Sequence, residues 1–211
     1  MKESSRRKLS KLDKIDSLRS LYGYAKGRAL SKQMSRLDKH SRRFIKLSPF
    51  LVMATSRFGG LADASPKGDH PGFVHVIDDY TIAIPDRPGN NRLDSMENVI
   101  INPAIGLIFF IPGLDETLRV NGSAEIRDDL ELLERFLVND RLPTAVFVVS
   151  IKEVYIHCAK ALMRSNLWSP DAQHQKRPLP TIGQIIKEQS GDNDPVKSQE
   201  EMEAAYKRVL Y

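Results

Sequence analysis

The chain has 211 residues, of which 41% are hydrophobic and 28% charged, and this composition suits one domain with extensions or at most two small domains. Its net charge of +5 is uneven, because residues 1–46 carry 15 Lys and Arg against 4 Asp and Glu, whereas the remaining residues carry 17 against 23. No apolar run approaches the roughly 20 residues that span a bilayer, no secretory signal follows the basic N-terminus, and the lone Cys158 excludes an internal disulfide framework. We therefore predict a cytoplasmic protein with no membrane partner, in which Cys158 is a buried structural residue.

The basic N-terminal part is predicted to extend from the main domain. Residues 1–15 are expected to be a disordered basic extension, and residues 16–47 to form N-terminal helices separated at Gly23 and Gly27. Ser48-Pro49 ends the second helix, because the residue before a proline is pushed out of the helical region. Such an arm can contact nucleic acid or anionic lipid, but its aromatic residues are not interleaved with its basic ones. We therefore favour a solvated helical arm over a nucleic-acid interface.

Residues 48–168 are predicted to form a mainly β domain, a six-stranded antiparallel barrel with helical decorations. Short turns such as Asp78-Asp79 and Pro112-Gly113 join the runs that predict its strands. A helix is expected at 91–101, and another in DDLELLERFLV, where the carboxylate of Asp128 or Asp129 caps free N–H groups. Seven runs have strand character, one more than the six strands expected of the barrel: PFLVMATS, LADAS, FVHVI, YTIAI, AIGLIFFI, ETLRVNGSAEI and TAVFVVSIKEVYIHC.

The segment IPDRPGNNRLDS, residues 84–95, places turn-forming and anion-binding groups where a strand meets a helix. Asn91 is predicted to cap that helix, with Asp94 three residues later echoing a capping box. The N–H groups and positive dipole of a helix start, beside Arg87 and Arg92, are typical of a phosphate site. From this segment alone, a capped helix whose arginines make surface ion pairs is the favoured interpretation, although two prolines and a glycine before the helix are more than a cap needs.

The segment SPKGDHPGF holds Ser65, Lys67 and Gly68, and its glycines let a ligand approach the backbone closely. Taken alone, this segment also has the composition of a surface loop.

The histidines and Cys158 lack the spacing of a zinc site, so no metal is predicted. The GxGxxG, Walker A, HExxH and GxSxG patterns are absent from the sequence.

The segment HCAKALMRSNLW predicts a short basic helix from Ala159 to Arg164, with Lys160 and Arg164 one turn apart. Trp168 follows it, either as a core anchor or as a stacking partner for a flat cofactor. Residues 169–211 are predicted to be a polar C-terminal extension that ends in an amphipathic helix within EEMEAAYKRVLY.

Together these segments resemble a known family. PFLVMATS, ADASPKGDHPGF, IPDRPGNNRLDSMENVIINPAIGLIFFIPG, ETLRVNGSAEI and HCAKALMRSNLW are similar to segments of the pyridoxamine 5′-phosphate oxidase-related FMN-binding split-barrel proteins. Within that family the chain resembles a subgroup marked by SP-basic-GD, PDRPGNNRLDS and HCAKAL motifs, over about residues 16–190. The resemblance implies a homodimer of six-stranded split barrels that holds FMN in a cleft between its protomers.

The resemblance also implies which residues hold the cofactor. Those implied to hold the phosphate lie in the turn before the helix and at its start: Arg87, Asn90, Asn91 and Arg92, with Ser95 as a further candidate. Those implied to meet the ribityl chain, the phosphate or the pyrimidine edge are Ser65, Lys67 and Gly68. Thr117 and Arg119 are implied to reach a partner's flavin. The residues implied to approach the ring or the substrate are Lys160, Arg164 and Trp168.

The function that the resemblance implies is an FMN-dependent oxidoreductase acting on an unidentified small molecule. No residue stands out as an obligatory general base, so none is assigned as catalytic. The alternative is a flavin- or haem-binding module without turnover, such as a sensor or carrier. Oxidation of pyridoxamine phosphate itself is less favoured, because the true oxidase's basic substrate cluster and C-terminal Arg-x-His-type motif have no counterpart in this sequence.

Overall fold

The structure is a computed structural model that describes residues 11–191 and 195–210. The chain divides into two units, the first ending at Gln33 and the second beginning at Met34. In the first unit lie the helices α1 (Ile15–Tyr22) and α2 (Arg28–Ser31). Gly23 and Gly27 separate them as predicted, with φ values of 70° and 56° that glycine adopts at little cost. The predicted disordered extension lies outside the described residues up to residue 10.

The second predicted helix does not run unbroken to Leu47. The helix α3 (Lys39–Leu47) begins after Asp38, whose carboxylate accepts the N–H of Ser41 at 2.8 Å. Before it, Met34 pairs with Val154 in an antiparallel bridge, with N···O distances of 3.0 and 2.8 Å. These bonds use backbone groups that a continuous helix would need for itself, so the chain is extended there.

The second unit is built on one sheet of seven antiparallel strands. The strands are β1 (Phe50–Ser56), β2 (Ala62–Gly68), β3 (His75–Val76), β4 (Thr81–Asp86), β5 (Ala104–Phe110), β6 (Thr117–Arg127) and β7 (Ala145–His157). Their order in the sheet is β2-β1-β5-β6-β7-β4-β3. The fold is the mainly β split barrel that the sequence predicts, with seven strands rather than six because the two residues of β3 pair with β4.

The core is formed by alternate residues of these strands. On β1, Leu51 and Met53 are fully buried, and Phe109 and Phe147 are among the largest fully buried side chains of the unit. The long strands β6 and β7 pair along their whole length, with a bulge in β7 at Lys152, opposite the step from Asn121 to Gly122. Because a bulge bends a strand and increases its twist, it curves the sheet around this core.

The helix α4 (Asp94–Ile101) packs against β1. Asn98 Nδ2 donates to Thr55 Oγ1 at 3.1 Å, and Asn102 Nδ2 donates to the carbonyl of Ser56 at 3.0 Å. These bonds fix the helix after the turn that carries the predicted phosphate ligands. The start of α4 is therefore held at a defined place beside β1 and β2.

The remaining helices follow β6. The helix α5 (Leu130–Glu134) lacks the predicted side-chain cap, because the Asp129 carboxylate instead accepts hydrogen bonds from Arg127 at 2.7 and 2.9 Å. This pairing lowers the pKa of Asp129. The helix α6 (Lys160–Ser165) lies one residue from its predicted bounds, α7 (Ile182–Ser190) was not predicted, and α8 (Gln199–Val209) confirms the predicted C-terminal helix.

The prediction that Cys158 is buried is wrong. The residue follows the last residue of β7 and is exposed, since the chain has left the sheet at that point.

Across the described helices, none is long and apolar enough to cross a membrane.

Candidate functional site

A cavity of about 620 Å³ is lined by β2, the end of β4, the turn that follows it and the start of α4. Its volume lies within the roughly 300–1,000 Å³ that small-molecule sites occupy. The predicted site residues that line it are Ser65, Lys67, Gly68, Arg87, Asn90, Asn91, Arg92 and Ser95. The fold therefore brings the SPKGD and PDRPGNNRLDS segments together in one cavity.

The turn before α4 differs from the predicted capping box. The helix begins at Asp94 rather than Asn91, and both Asn91 (φ 56°) and Leu93 (φ 57°) adopt the left-handed conformation. The Asn90 side chain organises the turn instead, since its Oδ1 accepts the Arg92 N–H at 3.1 Å. Asparagine tolerates the left-handed region better than most residues, which explains its place in this turn.

Two ion pairs connect the β2 side of the cavity with the end of β4. Lys67 Nζ donates to Asp86 Oδ1 at 2.9 Å, and Arg87 Nε donates to Asp69 Oδ2 at 3.1 Å. The Asp69 side chain is 2% exposed and that of Arg87 is 17% exposed. Because β2 and β4 are not neighbours in the sheet, these side chains join strands that backbone hydrogen bonds leave apart.

Arg92 is the more exposed arginine of the cavity, with 73% of its side chain accessible. Its Nε donates to Asp94 Oδ2 at 2.8 Å. The hydrogen bond and charge of Asp94, together with the charge of Asp63, raise the pKa of Arg92. Since exposed ion pairs contribute little to stability, Arg92 can exchange Asp94 for an anionic group of a ligand at small cost.

Asp63 forms a compact polar cluster with two serines. Ser95 Oγ donates to Asp63 Oδ2 at 2.7 Å, and Ser65 Oγ donates to the same oxygen at 2.9 Å. The two hydroxyl oxygens are themselves 2.9 Å apart. Ser95 is 6% exposed, so this cluster lies at a buried part of the cavity wall.

The cavity also has apolar walls. Phe147 is fully buried and Phe73 is 8% exposed, while Pro66, Pro85 and Met96 complete the apolar lining. Lys67 Nζ lies 5.4 Å from the centroid of the Phe147 ring, within reach of a cation–π contact. The cavity thus combines a charged turn with apolar surface, which suits a ligand that has one anionic end and one aromatic part.

The family model for pyridoxamine 5′-phosphate oxidase matches residues 37–158 of the chain, which is more than half of its length. The chain belongs to this family. The matched residues contain every strand of the sheet and every residue that lines the cavity. A search of curated protein sequences found no match.

Several solved structures are similar to this member of the pyridoxamine 5′-phosphate oxidase family. HupZ from Group A Streptococcus is 18% identical, with a TM-score of 0.47, and the match covers 57% of this chain and 93% of that one. An FMN-binding protein from Syntrophomonas wolfei is 10% identical, with a TM-score of 0.43 and coverages of 68% and 96%. The FAD binding protein from Mycobacterium smegmatis is 14% identical, with a TM-score of 0.41 and coverages of 59% and 97%.

Two of the predicted site residues lie on β6, outside the cavity. Thr117 begins the strand and is 2% exposed, opposite His157 of β7. The Arg119 guanidinium lies over the ring of Tyr155, 5.4 Å from its centroid. The prediction that these residues reach a partner's flavin therefore requires a second copy of the chain.

The predicted residues around α6 also lie outside the cavity. Lys160 and Arg164 are exposed on the helix, and Trp168 donates from Nε1 to the Leu114 carbonyl at 3.0 Å. That bond anchors the segment after α6 to the loop between β5 and β6. Trp168 thus has a structural contact within its own chain, and its role at a flavin stays a prediction.

Sequence reasoning missed the carboxylates that line the cavity, Asp63, Asp86 and Asp94. Alternation along a strand could have found Asp63, because residues two apart on a strand share a face and Asp63 precedes Ser65 by two. Phe147 gave no such signal, since it is one of many apolar residues of a buried strand. Within residues 11–191 and 195–210, no group of three His, Cys, Asp or Glu residues is placed to hold a metal ion.

Proposed function

We propose that this protein is an FMN-dependent oxidoreductase that acts on a small molecule, and that it works as a homodimer with the flavin at the interface. The observation that carries the proposal is the cavity in which basic, amide and hydroxyl groups of two separate motifs meet an apolar wall. Membership of the pyridoxamine 5′-phosphate oxidase family supports a flavin as the ligand. FMN, when bound, would supply the redox chemistry, while the protein supplies position and electrostatics.

The residues of the cavity fit the chemistry of FMN. Arg87 and Arg92, with the amides of Asn90 and Asn91, offer donors to a phosphate at the turn before α4. Lys67, whose Nζ lies 5.4 Å from the centroid of the Phe147 ring, and the backbone at Gly68 can meet the ribityl chain or the pyrimidine edge. Phe73 and Phe147 exclude water from that wall.

A dimer is proposed because five predicted site residues lie away from the cavity of their own chain. Thr117, Arg119, Lys160, Arg164 and Trp168 lie on β6 and around α6 rather than in the cavity lining. If Arg119, Lys160, Arg164 and Trp168 contact a flavin, they contact one held mainly by a second copy, whereas Thr117 is 2% exposed within its own chain. Lys160 and Arg164 are exposed, as such a contact requires.

The first experiment is the absorbance spectrum of the purified protein, followed by titration of the apoprotein with FMN. The proposal predicts flavin absorbance or uptake of added FMN, and its reduction by NADH or NADPH with reoxidation by a substrate. Failure to take up FMN would overturn the proposal. Uptake without any reduction by a nicotinamide donor would instead favour a flavin carrier or sensor.

The second experiment tests whether the turn before α4 binds the phosphate of FMN. Arg92→Ala should weaken FMN binding by about tenfold, because it removes a charge-assisted hydrogen bond to the phosphate. Riboflavin, which lacks the phosphate, should bind both proteins equally. Arg141→Ala removes an exposed arginine outside the cavity and serves as the matched control. Equal FMN affinity of Arg92→Ala and Arg141→Ala would contradict the assignment.

A further inference from the structure

The Asp63 carboxylate lies at a position that would otherwise suit an anionic ligand. Ser65 and Ser95 direct their hydroxyl groups to its Oδ2 atom at 2.9 and 2.7 Å, and Ser95 belongs to the first turn of α4. Hydroxyl donors that converge beside the start of a helix are suited to hold an oxygen of a phosphate group. In this chain the Asp63 carboxylate already accepts hydrogen bonds from both hydroxyl groups.

The charges of the cavity lining also limit where a phosphate group can bind. Three carboxylates, of Asp63, Asp86 and Asp94, balance the three cations Lys67, Arg87 and Arg92, so the lining has no net formal charge. A phosphate group carries about −1.5 to −2 charges at pH 7. Beside Asp63 it would face a like charge at short range, and such repulsion is stronger where water is excluded.

The turn of residues 87–92 is the better place for the phosphate. Arg92 is 73% exposed there, and its partner Asp94 is 45% exposed, so a ligand anion can compete for the guanidinium. Asp63 accepts hydrogen bonds from the two serines and not from Arg92, although its charge also acts on the Arg92 guanidinium. The two parts of the cavity therefore differ in the kind of ligand group that each accepts.

We infer that Asp63 determines the specificity of this cavity, confining a ligand's phosphate to the turn of residues 87–92 and accepting hydroxyl or amine donors beside Ser65 and Ser95. The ligand class that fits is a phosphate monoester whose phosphate is followed by a chain of hydroxyl groups. The inference rests on the proposed function in taking that chain to be the ribityl group of FMN. Its test must therefore include a probe that is not a flavin.

Inorganic phosphate is that probe. The midpoint of thermal unfolding would be followed against phosphate concentration, at constant ionic strength, for the native protein, Asp63→Asn and Asp63→Ser. Both variants should bind phosphate about tenfold more tightly than the native protein, because the like charge is removed and the serine hydroxyls become available. Adding Ser95→Ala to Asp63→Asn should reduce the gain, since it removes one of those hydroxyls while the effect of the lost charge remains.

Glu134→Gln is the matched control, because it removes one negative charge from an exposed position of α5 outside the cavity. Its phosphate affinity should equal that of the native protein. Equal affinity in the native protein and both Asp63 variants would overturn the inference. So would a gain that Glu134→Gln reproduces, or one that Ser95→Ala leaves undiminished.

FMN and riboflavin then separate this inference from the proposed function. Asp63→Asn should raise the ratio of FMN affinity to riboflavin affinity, because it removes a charge that repels phosphate and an acceptor for ribityl hydroxyls. Equal weakening of both flavins would mean a merely structural role for Asp63 and would overturn the inference. If neither flavin binds while the phosphate gain is observed, the proposed function fails and the assignment of Asp63 stands.

Discussion

Gly122 of β6 lies opposite the bulge of β7, where a side chain has no room. A Cβ atom there would lie 2.1 Å from the Ser150 carbonyl oxygen and 3.0 Å from its carbonyl carbon, both in the backbone of β7. Gly122→Ala should therefore lower the free energy of unfolding by roughly 2–4 kcal/mol, as measured by chemical denaturation. Gly89→Ala is the control, because the nearest atom to its Cβ would be 3.9 Å away. Similar losses in the two variants would contradict the prediction.

His75 couples the stability of the domain to pH. Its ring stacks on Phe136 with centroids 4.1 Å apart, and burial, followed by the charges of Arg135 and Arg87, lowers the pKa of His75 below its ordinary 6.5. As the pH falls below about 6.5, His75 becomes protonated in the unfolded chain before it does so in the folded chain. The stability that neutral His75 contributes above that pH is therefore lost as the pH falls through the pKa of His75 in the folded state.

His75→Phe should remove this part of the pH dependence, because it retains an aromatic ring without a titrating group. The measurement is the free energy of unfolding as a function of pH, across neutral and mildly acidic solution. The native protein should lose stability more steeply than the variant just below about pH 6.5. Parallel curves for the two proteins would show that His75 does not contribute to the pH dependence of the free energy of unfolding.

Single residues of the turn show where local reasoning succeeds and fails. The sequence, through its family resemblance, predicts Arg87, Asn90, Asn91 and Arg92 as phosphate ligands; all four line the cavity, and their binding of phosphate stays a prediction. It fails on the cap, because Asn91 and Leu93 take left-handed backbone conformations that delay the helix to Asp94. An Asn side chain fits a cap and a left-handed turn equally well, so only the surrounding structure decides between them.

At the scale of elements, the Arg87–Asp69 pair joins β2 to the end of β4. Asp69→Asn should lower the free energy of unfolding by about 2–3 kcal/mol, because it removes the 2%-exposed negative charge of an ion pair whose Arg87 side chain is 17% exposed. Glu131→Gln is the control, since it removes one partner of the exposed Arg135–Glu131 pair and should change stability little. Urea denaturation of both variants measures the difference, and an equal effect would contradict this role.

The strands were predictable and some helices were not. Alternating apolar residues specify β1, β5 and β7 because one face of each strand is buried. The break between α2 and α3 depends on the bridge from Met34 to Val154, a contact between residues that are distant in the chain. The α7 helix lies in a polar tail where composition favours an irregular segment, although the Thr181 hydroxyl caps it by accepting from Gln184.

At the scale of the whole molecule, the cavity depends on tertiary contacts between motifs. Composition and spacing predict that SPKGD and PDRPGNNRLDS each carry anion-binding groups, and only the family resemblance predicts that they meet. Their charge balance is harder to predict, because Asp63 and Asp86 look like ordinary polar residues at strand positions, although alternation along β2 places Asp63 on the same face as Ser65. Charge balance within the cavity is a property of the folded chain.

The last prediction concerns the proposed dimer and the single tryptophan, Trp168. Trp168 is bound to Leu114 of its own chain and lies outside the lining of its own cavity. If a second copy brings the segment after α6 to a flavin, then Trp168 of one protomer is close to the FMN held by the other. FMN in one protomer should consequently quench the fluorescence of its partner.

Mixed dimers of Arg92→Ala and Trp168→Phe isolate this effect. Only the Arg92→Ala protomer contains a tryptophan, and only the Trp168→Phe protomer keeps the native phosphate site. At an FMN concentration that fills the Trp168→Phe cavity alone, fluorescence should fall in the subunit-exchanged mixture and stay unchanged in Arg92→Ala by itself. If Trp168→Phe binds FMN and the mixture forms dimers without quenching, Trp168 does not approach the partner's flavin, and the segment after α6 serves its own chain by holding the loop at Leu114.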